Sequence, residues 1–568
     1  MEKAKRENRI KEFAPAIWLS VAASFFVFLY EPVTLYVGNY LDLDYDIYDL
    51  LKYMPLIALG ICIISILVFF ILRKISDKVY TATLSLYFVA LIASYIQGEY
   101  LVKDLPVMDG SEIDWSSFGG QRIITVIIWI ILIVAVVLIW KFLKTDKLQK
   151  IIKTGSIVLF VFCLLSLVLT CTASKNAFKE KNITCMTADS AFEMSTDQNF
   201  IILLMDGVDA EVFTDVINEN PEYKEVFEDF TYYPDTMAGY PYTSRAVPLI
   251  IFNKWYDNTV YYPYFLNDAV DESAFIERLE SENYRKSIYF ENFGRSNPDS
   301  ARFENFRNVK RFKEPVKFCK MIVMLSGYRI LPYDFKKYCE LSTDDIYYDC
   351  LKTNEGEDID YYEYQIEAFY NRVKNSQVAL TDRKCFRFLY CSGAHYPYIY
   401  DADMNQIEEG SIGLNTEAAI TVMNEYLKKL KDAGVYDNSI IFIMADHGMN
   451  KINPRSPDDK QNPMMLIKGL NEKHELCINN APVSHGDLEE AYLKLLDGVS
   501  GDECFPYSEG DLRERRYMAS TVLIEDTITE YMQTGFAADE ETLVPTGNVY
   551  EFDWACVDER EALERAKG

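Results

Sequence analysis

Residues 199–207 read NFIILLMDG and residues 439–448 read SIIFIMADHG, two apolar runs of strand length that each end in an acidic residue close to a glycine. A run without a polar face suits a strand buried on both sides, and such strands belong to parallel sheets covered by helices. Two further runs, 287–290 and 386–390, repeat the pattern. Amphipathic segments such as 272–283 and 416–433 lie between them. The alternation predicts an α/β fold with a central, mainly parallel sheet flanked by helices. In such sheets ligands gather beyond the carboxyl ends of the strands, where Asp206, Asp446 and His447 fall.

The first 173 residues differ in kind. Five stretches with little or no charge (14–37, 53–72, 79–98, 123–140 and 155–173) each approach the ~20 residues that cross a hydrocarbon core, so they predict a five-helix transmembrane bundle. No stretch after residue 174 has that length and composition. The first stretch lacks the small-residue cleavage pattern of a secretory signal and is expected to remain as an anchor. Lys3, Lys5, Arg6, Arg9 and Lys11, then Arg73, Lys74 and Lys78, then Lys141, Lys144, Lys147, Lys150 and Lys153 fall on one side of these stretches. Asp42, Asp44, Asp46, Asp49, Asp104, Asp109, Glu112 and Asp114 fall on the other. The positive-inside rule assigns the basic set to the cytoplasm, and five crossings then export the remainder.

The expected organisation is a transmembrane domain over 1–173, a linker over 174–198, an α/β domain over 199–500 and a C-terminal extension of short alternating runs over 501–568. The expected location is a cell membrane, multi-pass, with the α/β domain extracellular or periplasmic. Glu31, beside Pro32, is the one carboxylate inside an apolar run; it is either a functional intramembrane acid or an interfacial one.

A net charge of −29 and a pI near 4.7 argue against nucleic acid as a partner, since phosphate backbones need a basic surface. Of twelve cysteines, Cys62, Cys163 and Cys171 lie in the hydrophobic stretches and nine in the exported part. Cys385 with Cys391, or Cys339 with Cys350, are plausible pairs that spacing alone does not fix.

Two carboxylates and an imidazole at strand ends form a divalent-cation ligand set, and a hydroxyl among them would be activated as a nucleophile. The string YPYTSRAVP at 240–248 supplies Thr243 and its neighbour Ser244. The chain has only four histidines, and three stand in compact motifs: His395 in GAHYPY, His447 in ADHG and His485 in SHGDLEE. His474, in NEKHEL, reads as an ordinary histidine.

In this order and spacing the motifs resemble the alkaline phosphatase and sulfatase superfamily. With five helices ahead of them, the chain looks most like its membrane-anchored phosphotransferase branch, the lipoteichoic acid synthases and the phosphoethanolamine transferases. The resemblance covers roughly residues 199–497 by motif and 1–173 by architecture. It implies one divalent metal ion, manganese or zinc, held by Asp206, Thr243, Asp446 and His447, with Thr243 as the nucleophile that becomes phosphorylated and Ser244 as its competitor. It also implies that His395 contacts the substrate's phosphate or head group, and that His395 or His485 serves as general acid. Arg245, Arg295 and Arg302 join His395 as candidate substrate contacts.

No Asp-x-x-x-His pair of the kind that holds a second metal is present, which favours one ion. Pro248 stands where the formylglycine string of catalytic sulfatases requires an arginine, which argues against sulfate hydrolysis by that route. The stretch ENFGRSNPDSARFENF offers Arg295 and Arg302 but no tryptophan, unlike the glycerol phosphate site of lipoteichoic acid synthases.

The expected activity is transfer of a phosphoglycerol- or phosphoethanolamine-type head group from a phospholipid donor to an envelope glycan or lipid acceptor, through a phospho-threonine. A hydrolase of phosphate or sulfate esters is the nearest alternative. A catalytically silent membrane sensor or scaffold is a third, and four convergent ligands speak against it.

Overall fold

The computed structural model describes residues 2–40, 43, 45–102, 105, 113, 115–142, 144–179, 183–290, 293, 302–312, 314–341, 346, 351–353, 360–449, 460–520, 527–552 and 556. The chain divides into two compact units, Met1–Ile183 with Val309–Asp358, and Thr184–Asn308 with Ile359–Gly568.

Among the described residues, the first unit holds five helical spans long and apolar enough to cross a membrane: Phe13–Gly38, Ile47–Ile75, Asp77–Tyr100, Trp115–Phe142 and Thr145–Ala173. Side chains such as Leu56, Ile63, Ile123 and Ile130 point outward from them, the arrangement that lipid rather than water rewards. The first span consists of α1 (Glu2–Phe25), a π-helical turn over Phe26–Tyr30, and α2 (Glu31–Gly38). Pro32 accounts for the interruption. Its ring would collide with the carbonyl four residues back in a regular α-helix, and a widened turn removes the clash. The other spans contain α3 (Ile47–Ile75), α4 (Asp77–Tyr100), α5 (Gly119–Phe142) and α6 (Thr145–Ala173).

Residues 309–358, expected within the α/β domain, belong to this helical unit instead. Helix Pro315–Ile330 lays Phe318, Met321, Ile322 and Leu325 against Val33, Tyr36, Val37, Leu50 and Met54 of the spans. Its sequence looks like any amphipathic domain helix; the apolar surface that it matches lies more than 250 residues earlier in the chain. Glu31 is completely buried, and neither carboxylate oxygen accepts a hydrogen bond. Its counter-charge comes from this excursion, where Arg329 Nη1 lies 3.5 Å from Oε2 and Arg329 Nη2 donates to the Gly98 carbonyl at 3.2 Å.

The second unit is built on a seven-stranded sheet of β1 (Asn199–Met205), β2 (Thr231–Tyr232), β3 (Arg285–Tyr289), β4 (Cys385–Cys391), β5 (Ser439–Met444), β6 (Met465–Lys468) and β7 (Cys477–Ile478). Its order is β7-β2-β6-β5-β1-β4-β3. Strands β3, β4, β1 and β5 run parallel; β6 is antiparallel to β5 and to β2, and β7 is parallel to β2. Every residue of β1 is buried. Phe200, Ile202 and Leu204 enter one core while Ile201, Leu203 and Met205 enter the other, as the two-residue strand period requires.

Residues 174–198 are more ordered than a linker. They carry a 3-10 turn at Lys175–Phe178, and strand Glu193–Ser195 pairs in parallel with Ala379–Thr381. After residue 501, strands Arg515–Ala519, Ile528–Gln533 and Leu543–Tyr550 form an antiparallel sheet. Cys385 and Cys391 are free thiols at opposite ends of β4. Six strand steps separate them by about 20 Å, so the pairing expected from their spacing does not form. Cys339 is a free thiol, and Cys350 lies outside the described residues.

The parallel strands end level. Register pairs Met205 with Cys391 and Leu204 with Met444, so Asp206, Ser392 and Asp446 leave neighbouring strand ends together. Gly393, at φ +50, makes the closest approach; a Cβ there would stand 2.6 Å from the Asp206 carbonyl oxygen. Gly393→Ala is therefore expected to cost about 1–3 kcal/mol through strain at positive φ and to displace Asp206. Denaturant unfolding, together with divalent-ion affinity, checks this.

Candidate metal centre

Among the described residues, Asp206, Asp446 and His447 form one group of buried ligand atoms, all within 4.8 Å of one another. His447 Nε2 lies 3.5 Å from Asp206 Oδ1 and 3.6 Å from Asp446 Oδ2. Neither of those two oxygens has a hydrogen-bond partner. His447 Nδ1 lies 2.6 Å from the Gly448 carbonyl; it must donate there, which leaves the Nε2 lone pair facing the carboxylates. Three acceptors thus converge with no donor between them. Ligand bonds of about 2.0–2.2 Å in a tetrahedron separate donor atoms by about 3.4 Å, so the residues present fit a divalent ion.

The loops that carry these groups are tied together. Asp209 caps the helix Ala210–Glu219 through the amides of Glu211 and Val212, and its other oxygen accepts from Met449 N at 3.4 Å. The chain after Asp206 is thereby fixed to the chain after His447. Tyr390, near the end of β4, donates to Asp206 Oδ2 at 2.6 Å. Burial and then the Asp446 charge raise the Asp206 carboxyl above its ordinary value. Asp446 is held below its ordinary value although burial opposes this, because His447 and the Thr243 hydroxyl favour its charged form.

Thr243 opens the helix Thr243–Phe252, and its Oγ1 donates to Asp206 Oδ2 at 3.3 Å. Arg245 N and Ala246 N donate to the Tyr242 carbonyl, so the Thr243 and Ser244 amides are the ones this helix start leaves for an anion. Ser244, the competing hydroxyl, follows on the same turn, and its carbonyl accepts from Tyr262.

His395 stands exposed at the mouth, its ring centroid 6.4 Å from that of His447, with Nδ1 2.7 Å from the Tyr396 carbonyl. His485 is different. It is completely buried, neither ring nitrogen has a hydrogen-bond partner, and burial pushes its imidazole down to about 3. A ring held neutral is a poor source of a proton at neutral pH. The turn that carries His485 is clamped from the C-terminal sheet. Arg513 forks onto Asp487 at 2.8 and 3.0 Å, and Arg515 joins the Val483 carbonyl to Asp235.

Two of the three arginines expected as substrate contacts, Arg245 and Arg302, are engaged by the protein. Arg302 pairs with Glu280 through Nε and Nη2 and with Asp271 through Nη1. Arg245 is buried, donates to Ser520 Oγ at 2.6 Å and lies over the Tyr256 ring. Arg295 lies outside the described residues. Among the described residues, a cation close to the centre is Lys460, which sequence reading missed. It is buried, with Nζ 4.5 Å from the centroid of the Tyr242 ring. Burial lowers its ammonium from the ordinary value, while the charges of Asp206 and Asp446 act in the other direction. Tyr390 was missed as well, because an aromatic inside an apolar strand gives no sign of its hydroxyl's partner.

No family model and no curated protein sequence matches the chain. Solved structures with a similar course of chain include Ps i-CgsB, at 13% identity and a TM-score of 0.39 over 60% of this chain and 83% of that one. A protein in the alkaline phosphatase superfamily from Vibrio parahaemolyticus matches at 13% and 0.34 over 66% and 83%. The lipoteichoic acid synthase LtaP from Listeria monocytogenes matches at 14% and 0.34 over 63% and 88%. At such scores the likenesses carry no argument of their own.

Proposed function

We propose that this chain is a membrane-bound, metal-dependent enzyme of the alkaline phosphatase superfamily. In this reading it transfers a phosphoglycerol- or phosphoethanolamine-type head group from a phospholipid to an envelope glycan or lipid. The carrying observation is the Thr243 hydroxyl, on the first turn of a helix and 3.3 Å from a carboxylate of the metal-ligand set. The five spans support a lipid donor, since a bilayer concentrates it beside the enzyme. The charge asymmetry of their loops supports an exported α/β unit.

A divalent ion bound by Asp206, Asp446 and His447 would neutralise charge on the donor phosphate and acidify the hydroxyl. Asp206 Oδ2, already the acceptor of the Thr243 hydrogen bond, takes the proton as Oγ1 attacks phosphorus. The bond from phosphorus to the lipid oxygen breaks in line, and His395 protonates the departing alcohol. The head group now sits on Thr243 as a phosphodiester. In the second step His395 removes the proton of an acceptor hydroxyl, which attacks phosphorus from the vacated side. Thr243 leaves and recovers its proton from Asp206. Lys460 and the helix amides hold the phosphate throughout. Lys460→Gln is therefore expected to raise KM for the donor about tenfold with less effect on kcat, which steady-state kinetics would measure.

The test is to incubate the full chain in lipid nanodiscs with manganese or zinc and with phosphatidylglycerol or phosphatidylethanolamine, then to read the intact mass and the Thr243 peptide. A mass increase on Thr243 identifies the covalent step and, by its size, the head group. Head-group release without acceptor, at the rate of transfer, would assign water as the acceptor and the enzyme as a hydrolase. A chain that binds no metal would be the silent scaffold.

A further inference from the structure

Residues 309–341 carry eight Lys or Arg against three Asp or Glu in a chain of net charge −29. Their position in the helical unit is fixed at one end of the spans. Asp334 pairs with Arg122 in the first turn of α5, Tyr333 stacks on Phe118 at 5.8 Å, and Arg329 reaches the Gly98 carbonyl near the end of α4. The short turn Tyr333–Lys336 and the 3-10 turn Lys337–Cys339 therefore lie level with the ends of two spans. A bilayer changes from hydrocarbon to head groups at that level.

Within these turns every third residue, Tyr333, Lys336 and Cys339, is buried. Phe335 and Tyr338 face outward, 55% and 69% exposed, and Lys337 Nζ lies 5.2 Å from the Tyr338 ring centroid. On the neighbouring span, Ile123, Ile124 and Ile127 are likewise turned outward. Two bare aromatic rings and a lysine beside a lipid-facing span have the chemistry of an interfacial anchor, with rings among the head groups and an ammonium at the phosphates.

We propose that residues 333–339 form a phospholipid-binding patch, in which Phe335 and Tyr338 insert into the adjacent leaflet and Lys337 holds an anionic head-group phosphate. The occupant is lipid rather than a second copy of the chain, because the patch is continuous with spans whose outward apolar side chains lipid must surround.

The test uses the full chain in nanodiscs of phosphatidylcholine with a minor share of phosphatidylglycerol. Photoreactive p-benzoylphenylalanine replaces Phe335, or Leu512 as an exposed control in the other unit. Adducts are identified by mass. Phospholipid adducts at 335 should exceed those at 512 by about fivefold or more, as burial of one side chain at an interface would produce. They should also be richer in phosphatidylglycerol than the bilayer, and Lys337→Glu should return them to bulk composition. Adducts at the control level, adducts to protein, bulk lipid composition in the parent, or no response to Lys337→Glu would each overturn the proposal. No turnover is read, so this outcome is independent of the proposed transferase chemistry.

Discussion

Thr243→Ala should abolish turnover, by at least about 10⁴-fold, as loss of an enzymic nucleophile does. The substitution removes one hydroxyl and leaves Asp206 Oδ1, Asp446 Oδ2 and His447 Nε2 in place, so a divalent ion should still bind, weakened at most by the loss of Thr243 as a fourth ligand. That separation gives the experiment its force: a metal titration and a turnover assay on one preparation must diverge. Thr243→Ser keeps a hydroxyl on the same helical turn and should retain activity within about 10–100-fold. Ser244→Ala should be close to wild type. Activity surviving in Thr243→Ala and lost in Ser244→Ala would move the nucleophile by one residue, and activity in both would end the covalent scheme.

Arg329→Gln should destabilise the helical unit by about 1–2 kcal/mol, because Glu31 loses its counter-charge and must take up a proton to stay buried. Neither of its oxygens has a hydrogen-bond donor to replace the guanidinium. The reverse change should cost less. In Glu31→Gln, the part-exposed Arg329 retains the Gly98 carbonyl and its access to solvent. The double variant, Glu31→Gln with Arg329→Gln, should recover most of the loss, since neither side then buries a charge. Thermal unfolding of the three detergent-solubilised proteins checks the order. Equal destabilisation of both singles, with no recovery in the double, would show that the pair contributes packing and not charge compensation.

Much of the candidate metal centre could be read from the sequence, because a strand buried on both faces must be a continuous apolar run. Whatever polar residue ends such a run is therefore conspicuous. Asp206, Asp446 and His447 announce themselves in this way, and the two carboxylates meet because β1 and β5 are neighbours in register. Lys460 has no such frame: it follows a polar stretch, and only the tertiary fold turns it toward the carboxylates. Arg302 is the opposite case. A positive charge near the expected substrate side looked available, but Glu280 and Asp271 occupy its donors. The excursion over 309–358 was illegible for a third reason. Amphipathicity states that a helix has a face to bury but not which surface will cover it, and here the cover lies in the spans.

The central position of β1 has a consequence for how the protein is made. Its two sheet neighbours begin at Cys385 and Ser439, so 180 and 234 residues must be synthesised after Met205 before either can pair with it. At roughly 5–20 residues per second this is a wait of about 10–40 s for the first partner. During that interval the most apolar strand of the α/β unit has both edges open, the condition under which chains stick to one another. A ribosome-paced pulse–chase should find the nascent chain most sensitive to protease, and most dependent on a holding chaperone, between the emergence of Met205 and that of Cys391. Protection should then rise as β4 docks and become complete when β5 covers the other edge.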